Sequence, residues 1–562
     1  MSRDPQLPPR TIVDAVEALR SGATTSVDLV RTAIEASESN NARLAALVEL
    51  YRESALEAAI EADRVLDRAG RAAPILTGIP LGIKDIITTR EGPTTAESDA
   101  SGATSLAGDA TAVRRLRSAG GIIMGKTATM EFAFGMPDEP RGRVLARNPW
   151  NVEKWAGGSS SGSASGIQAG MFLGALGTDT AGSIRLPAAF CGISGLKPTF
   201  GRVPTSGCLP LAYSLDHIGP MARSAADCAL LLRTLAGPDG HDPQGTDQPV
   251  EDYLAGLSGD LTGIRVGVIE AGAANDAEPQ HAVAFRESLR QFQSLGARLV
   301  DVQLPSFVEA STATMTTLIA EAAAEHAEGL TSQYLAYGRS LRSRLLTSAF
   351  LSATDYIQAQ RVRRVAQLQL ARVYDDVDLI VLPTSIFAAF DCAQLSARDE
   401  VDLKSSTGIP TAYWNAVGNP VLSIPIGFAR NGLPLGLQIA GRPFDERLVL
   451  RAGDAFQRIT RWHLETPTSL PTGSVPEPAD PGPRGHAGEH PRSADMSPPT
   501  DRGSTASTVV RGLLAMADLT PPELEFANAV ARFGQTREDV RSVRVLGSAS
   551  ATVPATRFSA VP

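Results

Sequence analysis

Residues 155–166 read WAGGSSSGSASG, and the chain on either side decides what such a run can be. In isolation a Gly/Ser stretch behaves as flexible coil. Here the run continues as SASGIQAGMFLGALG, small and apolar with helical spacing, and ARNPW (146–150) stands upstream as a turn with a proline and an aromatic anchor. A segment this apolar has to be buried, so the Gly/Ser run leads into a core helix and does not tether two domains. A loop entering a buried helix presents backbone N–H groups, which suits an anion or a developing oxyanion.

A second Gly/Ser turn lies in GTDTAGSIRLPAAFCGISGLKP (177–198), ending at Ser183 and followed by Arg185. A helix between the two turns lets them meet in space. Neither matches GxxxxGK[ST] or GxGxxG and no lysine follows closely, which argues against a nucleotide cradle. A serine in such a turn needs a base. Of the seven histidines only His217, in SLDHIGP, falls in the core region, where a structural role is the plainer assignment. Lys84 interrupts the apolar run LGIKDII. Apolar surroundings cost a lysine its solvation and make the neutral form accessible, and a neutral lysine is a competent general base. Spacing alone leaves two roles open for it: that base, or a structural lysine paired with Asp85 or Asp179.

Around these motifs the pattern is that of a layered α/β protein. Residues 10–70 read as helices, with Thr25 and Ser26 as candidate N-caps ahead of Val27, Leu29, Val30 and Ile34. IPLGIKDIITT (79–89) reads as a buried strand, and DATAVRRLRSAGGIIMGKT (109–127) as a helix capped by Asp109, a Gly turn and a strand. TGIRVGVIE, GARLVDVQLP and DLIVLPT (378–384) read as further strands. From Thr466 to residue 505 the chain is dense in Pro, Gly and polar residues, an extended disordered linker. Beyond it Val509, Val510, Leu513 and Leu514 share a helix face, and Thr520 and Glu523 have capping-box spacing. The chain thus divides into a main domain (1–465), a linker (466–505) and a small α-helical tail (506–562). The tail is too short to be stable alone, so it is expected to dock on its own or a neighbouring main domain.

Apolar residues make up 43% and charged residues 20%, enough to bury a substantial core. A net charge of −9 without any Lys/Arg block speaks against direct nucleic-acid binding. Cys191, Cys208, Cys228 and Cys392 lack CxxC spacing and read as buried small hydrophobes. The N-terminus has no apolar signal core, and no stretch approaches the ~20 apolar residues of a membrane span. The expectation is a soluble cytoplasmic protein.

Taken together, GIPLGIKD, GGSSSGSASG and GTDTAGSIRLPAAFCGISGLKPTFGRVP resemble the amidase signature family of serine hydrolases. SLDHIGPMARSAADCALLL (214–232), VLPT (381–384) and GNPVLSIPIGF with GLPLGLQIAGRPFDE (418–446) agree with it, in the family's order, over residues 10–465. The resemblance implies an α/β fold with a large mixed β-sheet core covered by helices on both faces. It further implies a Ser–cis-Ser–Lys device: Ser183 as nucleophile, Ser159 as bridge with a cis Gly158–Ser159 peptide, and Lys84 as terminal base. Thr180, Ala181 and Gly182, with Ser183, would supply the oxyanion hole. Asp179, Arg185 and Ser160 would support the site, with Ser163 beginning the helix. Arg344, Tyr356, Gln360 and Trp414 are candidate substrate contacts. No metal or organic cofactor is implied. Three departures from the family pattern are Ser161 and Ala181, where glycine is usual, and Ala128 in GKTATMEF, where asparagine is frequent.

The activity implied is hydrolysis of a small amide or urea-like substrate through an acyl-enzyme. The alternatives are a glutaminase subunit that passes ammonia to a partner enzyme, and a non-catalytic scaffold that kept the fold. The tail weakly resembles the small helical partner subunit of amidotransferases and of carboxybiuret-type amidases, and a homodimer is the expected assembly.

Overall fold

The computed structural model describes residues 9–100, 108–136, 141–269, 279–397 and 410–467. The tail and the linker expected beyond Pro467 lie outside the described residues. In chain order the strands are β1 (Leu47–Leu50), β2 (Pro80–Lys84), β3 (Ile122–Thr127), β4 (Arg147–Asn148), β5 (Asn151–Trp155), β6 (Gly174–Thr178) and β7 (Ser194–Lys197). They continue with β8 (Ile218–Ala222), β9 (Arg265–Val268), β10 (Arg298–Asp301), β11 (Leu379–Pro383), β12 (Val421–Phe428) and β13 (Pro434–Ala440). Eleven form one sheet in the order β1-β3-β2-β6-β8-β7-β12-β13-β11-β9-β10, while β4 and β5 pair separately.

The sheet is mixed. β3, β2 and β6 run parallel, as do β11, β9 and β10, and the antiparallel strands β8, β7, β12 and β13 join the two parallel blocks. Helices cover both faces, and the strand sequences show why. In β3, Ile122 and Met124 point into one apolar core while Ile123 joins the other; in β6 Ala175 and Leu176 divide the same way. A strand buried on both faces needs apolar residues at consecutive positions, which is how 79–84 and 122–127 read.

Several local expectations hold, and several are corrected. Thr25 caps the helix Ser26–Leu44 by accepting from the Asp28 N–H. The region 10–70 is helical as read, apart from the short strand β1. Asp109 does not cap the helix Thr111–Ser118; its carboxylate is drawn to Arg117 Nε at 3.0 Å and the Arg90 N–H at 2.9 Å, and Ala110 stands at the cap. The strand expected over 79–89 stops at Lys84, where the Ile86 and Ile87 N–H groups both turn back onto the Lys84 carbonyl. The helix Ser161–Gln168 begins before Ser163, which instead bonds Thr127 Oγ1 at 2.7 Å and the Leu176 carbonyl at 3.0 Å, pinning the helix to β3 and β6. The helix is held so close that a Cβ on Gly162 would lie 2.1 Å from the Ala46 carbonyl oxygen.

Candidate active site

β2 and β6 are parallel neighbours, so their carboxyl ends lie side by side, the position at which open α/β sheets place ligands. Lys84 is the last residue of β2 and Thr178 the last of β6. The side-chain nitrogen of Lys84 reaches Ser159 Oγ at 2.7 Å and Thr178 Oγ1 at 2.7 Å. Ser159 follows a cis peptide from Gly158. Ser160 ties this first turn to the second. Its N–H donates to the Ser183 carbonyl at 3.1 Å, and its hydroxyl lies 3.2 Å from both the carbonyl and the N–H of Thr178. Lys84 and Ser159 are buried, whereas Ser183 keeps partial exposure.

Both carboxylates that sequence offered to Lys84 are taken elsewhere. Asp85, on the opposite side of the strand end, pairs with the buried Lys126 at 3.3 Å. Asp179 receives Arg185 Nε and Nη2, each at 2.9 Å. Lys84 is therefore a buried amine that meets hydroxyls and no salt-bridge partner among the described residues. Burial pulls its pKa from 10.5 to about 7, with Cys208, Asp179 and Asp216 pulling weakly the other way. Lys84 is thus poised between its two protonation states at neutral pH.

Asp179 and Arg185 organise the second turn. Burial would raise the Asp179 carboxyl, but the adjoining Arg185 guanidinium holds it well below the usual carboxylate range. Its oxygens also accept the Gly182 N–H at 2.8 Å, the Ile184 N–H at 3.2 Å and Asn415 Nδ2 at 2.9 Å. Arg185 spends its remaining donors on the Thr411 carbonyl, Gln438 Oε1 and Asn415 Oδ1. Gly182, expected in the oxyanion set, thus gives its N–H to Asp179. The N–H groups of Thr180, Ala181 and Ser183 have no acceptor among the described residues. Gly182 has φ +130°, and a Cβ there would lie 2.3 Å from Thr411 Oγ1, so only glycine fits. Thr180 donates its hydroxyl to Asp216 at 2.6 Å, a half-buried residue whose carboxyl is pushed up to about 6 by desolvation.

His217 is not placed to serve as a base. Its Nδ1 faces the Asp179 and Leu215 carbonyls at 3.0 and 2.6 Å, and its Nε2 meets Lys197 Nζ at 3.1 Å. Burial and that lysine drive its pKa well down, so it stays neutral with both nitrogens engaged. The substrate candidates divide as well. Tyr356 donates to Glu321 at 2.7 Å, Gln360 bonds Thr317 and Arg363, and the Arg344 guanidinium lies 5.0 Å over the Phe134 ring. Trp414 is fully buried, in an apolar cluster with Tyr413, Val417 and Tyr374. Its neighbours Thr411 and Asn415 reach the second Gly/Ser turn, at the Ala181 carbonyl and at Asp179. Sequence reasoning missed both, along with Thr178, Asp216 and Gln438. Only Thr178 and Asp216 fall within motifs whose chemistry the sequence announces.

Residues 28–450 match the Amidase family model, and the chain belongs to that family. It is 38% identical over 485 residues to a glutamyl-tRNA(Gln) amidotransferase subunit of Chloroflexus aggregans, a match spanning 81% of this chain and 98% of that one. The native peptide amidase of Stenotrophomonas maltophilia superposes with a TM-score of 0.71 at 29% identity, covering 82% of this chain and 99% of that structure. The corresponding glutamyl-tRNA(Gln) amidotransferase subunit of Thermotoga maritima does so with a TM-score of 0.66 at 30% identity, covering 81% and 95%. These similarities support an enzyme of the amidase type acting on a carbon–nitrogen amide bond. Among the described residues no group of His, Cys, Asp or Glu is placed to hold a metal ion, and no helix is long and apolar enough to cross a membrane.

Proposed function

We propose that the chain is a serine amidase in which Ser183 attacks the amide carbonyl and Lys84 acts as the base through Ser159. The single observation that carries this reading is the buried Lys84, without a salt-bridge partner among the described residues and 2.7 Å from Ser159 Oγ. A neutral amine at that distance accepts the Ser159 proton as Ser159 takes the proton of Ser183. The tetrahedral adduct's oxyanion is received by the N–H groups of Thr180, Ala181 and Ser183, the donors of the turn that Asp179 does not use. The relay then returns the proton to the leaving nitrogen, the carbon–nitrogen bond breaks, and ammonia or an amine departs from an acyl-enzyme on Ser183. Water attacks the ester by the same relay run again, releasing the acid and restoring the serine. The substrate is a small amide or urea-like compound, and every step is carried by side chains and backbone of this chain.

A second reading is favoured by one observation. Relatives named as glutamyl-tRNA(Gln) amidotransferase subunits match over nearly their whole length, which points to glutamine as the amide and to a partner enzyme as the receiver of ammonia. The test is ammonia release from glutamine, aliphatic and aryl amides, biuret and allophanate, with wild type beside Ser183→Ala. Release lost in the variant supports the serine mechanism and names the substrate class. Equal release from both proteins refutes the assignment of the nucleophile, and release from glutamine only with partner enzymes added selects the second reading.

A further inference from the structure

Two buried titratable groups, Lys197 and His217, have no task in the proposed relay, yet His217 adjoins the second Gly/Ser turn and Lys197 adjoins His217. Beyond Thr178 and Ile218, the last pair of the β6–β8 ladder, Asp179 and His217 still exchange both backbone hydrogen bonds, at 2.9 and 3.2 Å. His217 Nδ1 meets the same Asp179 carbonyl at 3.0 Å and the Leu215 carbonyl at 2.6 Å. Carbonyl oxygens offer Nδ1 only lone pairs, so Nδ1 carries the ring proton and Nε2 is an acceptor. Lys197 Nζ supplies the matching donor to Nε2 at 3.1 Å. The Phe200 ring stands edge-on to the imidazole, 5.4 Å between centroids, and hinders its rotation.

The Asp179 carbonyl belongs to the peptide whose N–H is that of Thr180. In a planar trans peptide the two groups point in opposite directions, so donors that hold the carbonyl also aim the N–H. They polarise it as well, because hydrogen bonds in series strengthen one another away from water. Three donors converge on this one oxygen: the His217 N–H at 3.2 Å, His217 Nδ1 at 3.0 Å and Asn415 Nδ2 at 3.1 Å. On the other side of the peptide, Thr180 is 2% exposed and its N–H has no acceptor among the described residues. A buried N–H is rarely left unpaired, so this one is kept for a ligand atom. Resting on the serine mechanism above, we propose that His217, held in place by Lys197, is a positioning residue that aims the Thr180 N–H at the oxyanion formed when Ser183 attacks.

The test is hydrolysis of p-nitrophenyl acetate by the full chain. The leaving group of this ester needs no proton, so kcat reads the oxyanion and not the return of a proton to nitrogen. His217→Leu removes the Nδ1 donor at similar volume, and His217→Asn puts an amide nitrogen back near the Nδ1 position. Both lose the bond to Lys197, so their difference isolates the donor to Asp179. Outright loss of an oxyanion donor lowers kcat roughly 100- to 1,000-fold. A donor still present but poorly aimed predicts a fall of about tenfold to thirtyfold in His217→Leu at unchanged KM, with His217→Asn returning to within about threefold of wild type. Wild-type kcat in a folded His217→Leu, an equal fall in both variants, or a loss that appears in KM overturns the proposal. Imidazole ¹H–¹⁵N spectra of the wild-type chain at pH 7 decide the matter even where His217→Leu does not fold. A neutral ring protonated on Nδ1, identified by its absence from His217→Asn, is the expected result, and a ring protonated on Nε2 overturns the proposal. p-Nitrophenol release that survives Ser183→Ala instead refutes the assignment of the nucleophile.

Discussion

The proposed mechanism depends on the charge state of Lys84. With the pKa brought from 10.5 to about 7, half the molecules hold a neutral amine at pH 7, against roughly one in three thousand for an ordinary lysine. Thr178→Asp perturbs this directly, because it puts a carboxylate where a hydroxyl now lies 2.7 Å from the nitrogen. An opposite charge at that range raises a lysine pKa by ~1–3, so the neutral fraction at pH 7 falls roughly 5- to 500-fold. The assay is kcat/KM for ammonia release as a function of pH in wild type and variant. Wild type climbs with pH to a plateau, half-maximal near pH 7; Thr178→Asp climbs one to three pH units later and approaches the same plateau. The other ionisable groups that face Lys84, namely Cys208, Asp179 and Asp216, are the same in both proteins, so they do not move the limb between them. An active variant whose limb has not moved refutes Lys84 as the titrating base. Thr178→Val, which adds no charge, keeps the wild-type limb and separates electrostatics from packing.

Further outcomes follow from the same buried charges. The folded pKa of Lys84 lies below its unfolded value, so the folded state binds fewer protons between about pH 7 and 10.5; the destabilisation is full below that window and fades as pH rises through it. Lys84→Met therefore abolishes turnover yet raises stability at pH 7 by up to about 4 kcal/mol, less ~1 kcal/mol for each lost hydrogen bond, with the gain shrinking toward pH 10 in urea titrations. Arg185→Met strands the Asp179 carboxylate in the core and costs about 3–5 kcal/mol by the same titrations. Thr180→Val cuts the tie to Asp216 and lets the Thr180–Ser183 turn drift, lowering kcat about tenfold to a hundredfold at unchanged KM, while Thr180→Ser restores it. A proportional rise in KM, or failure of the serine to rescue, contradicts a positioning role for that hydroxyl.

What was legible in the sequence is whatever a local pattern can encode. Consecutive apolar residues around Lys84 and Met124 announce strands buried on both faces, and the Gly/Ser turns at 157–163 and 181–183 announce close backbone approach. For the helix Ser26–Leu44 the sequence offered Thr25 and Ser26 as caps, and Thr25 is the one that caps it. The end of β2 was not, because Ile86 and Ile87 are as apolar as the strand before them and only their hydrogen bonds back to Lys84 stop the run. Asp109 misled for a related reason: it has the right chemistry for a cap, but two donors from elsewhere, the Arg117 side chain and the Arg90 N–H, compete for it. Trp414 and Asn415 show the limit most sharply. One helical step separates a residue sealed in the core from one whose amide holds Asp179, and nothing in YWN tells which of them faces the site.

The pairing of buried charges is the part no local pattern could supply, and it is the part that makes the site. Isolated buried charge is so costly that each ionised group in a core must find a partner or give up its charge. In this sheet Asp85 finds Lys126 across the parallel β2–β3 pair, Asp179 finds Arg185 in the helix that follows it, and Glu446 lies 3.6 Å from Arg202. Lys197 meets the neutral His217 and a carbonyl, and burial pulls its pKa well down as well. Asp85 and Asp179 are thereby paired, Asp216 is held by the Thr180 hydroxyl and the Leu211 and Ala212 N–H groups, and Lys84 faces the hydroxyls of Ser159 and Thr178. Lys84 and Lys197 are therefore left to burial without a carboxylate partner among the described residues. Lys197 is enclosed against an imidazole and bonds no serine, whereas Lys84 bonds Ser159 in the first Gly/Ser turn. On the proposed mechanism, the difference between a structural lysine and a base lies less in the lysine than in which neighbour has already been claimed. If Asp85 were freed by Lys126→Met, its carboxylate would remain on the far side of the strand end, so the pH limb set by Lys84 is expected to stay in place while the fold weakens. Measuring that limb beside the urea midpoint separates the roles of Lys84 and Lys126 in one variant.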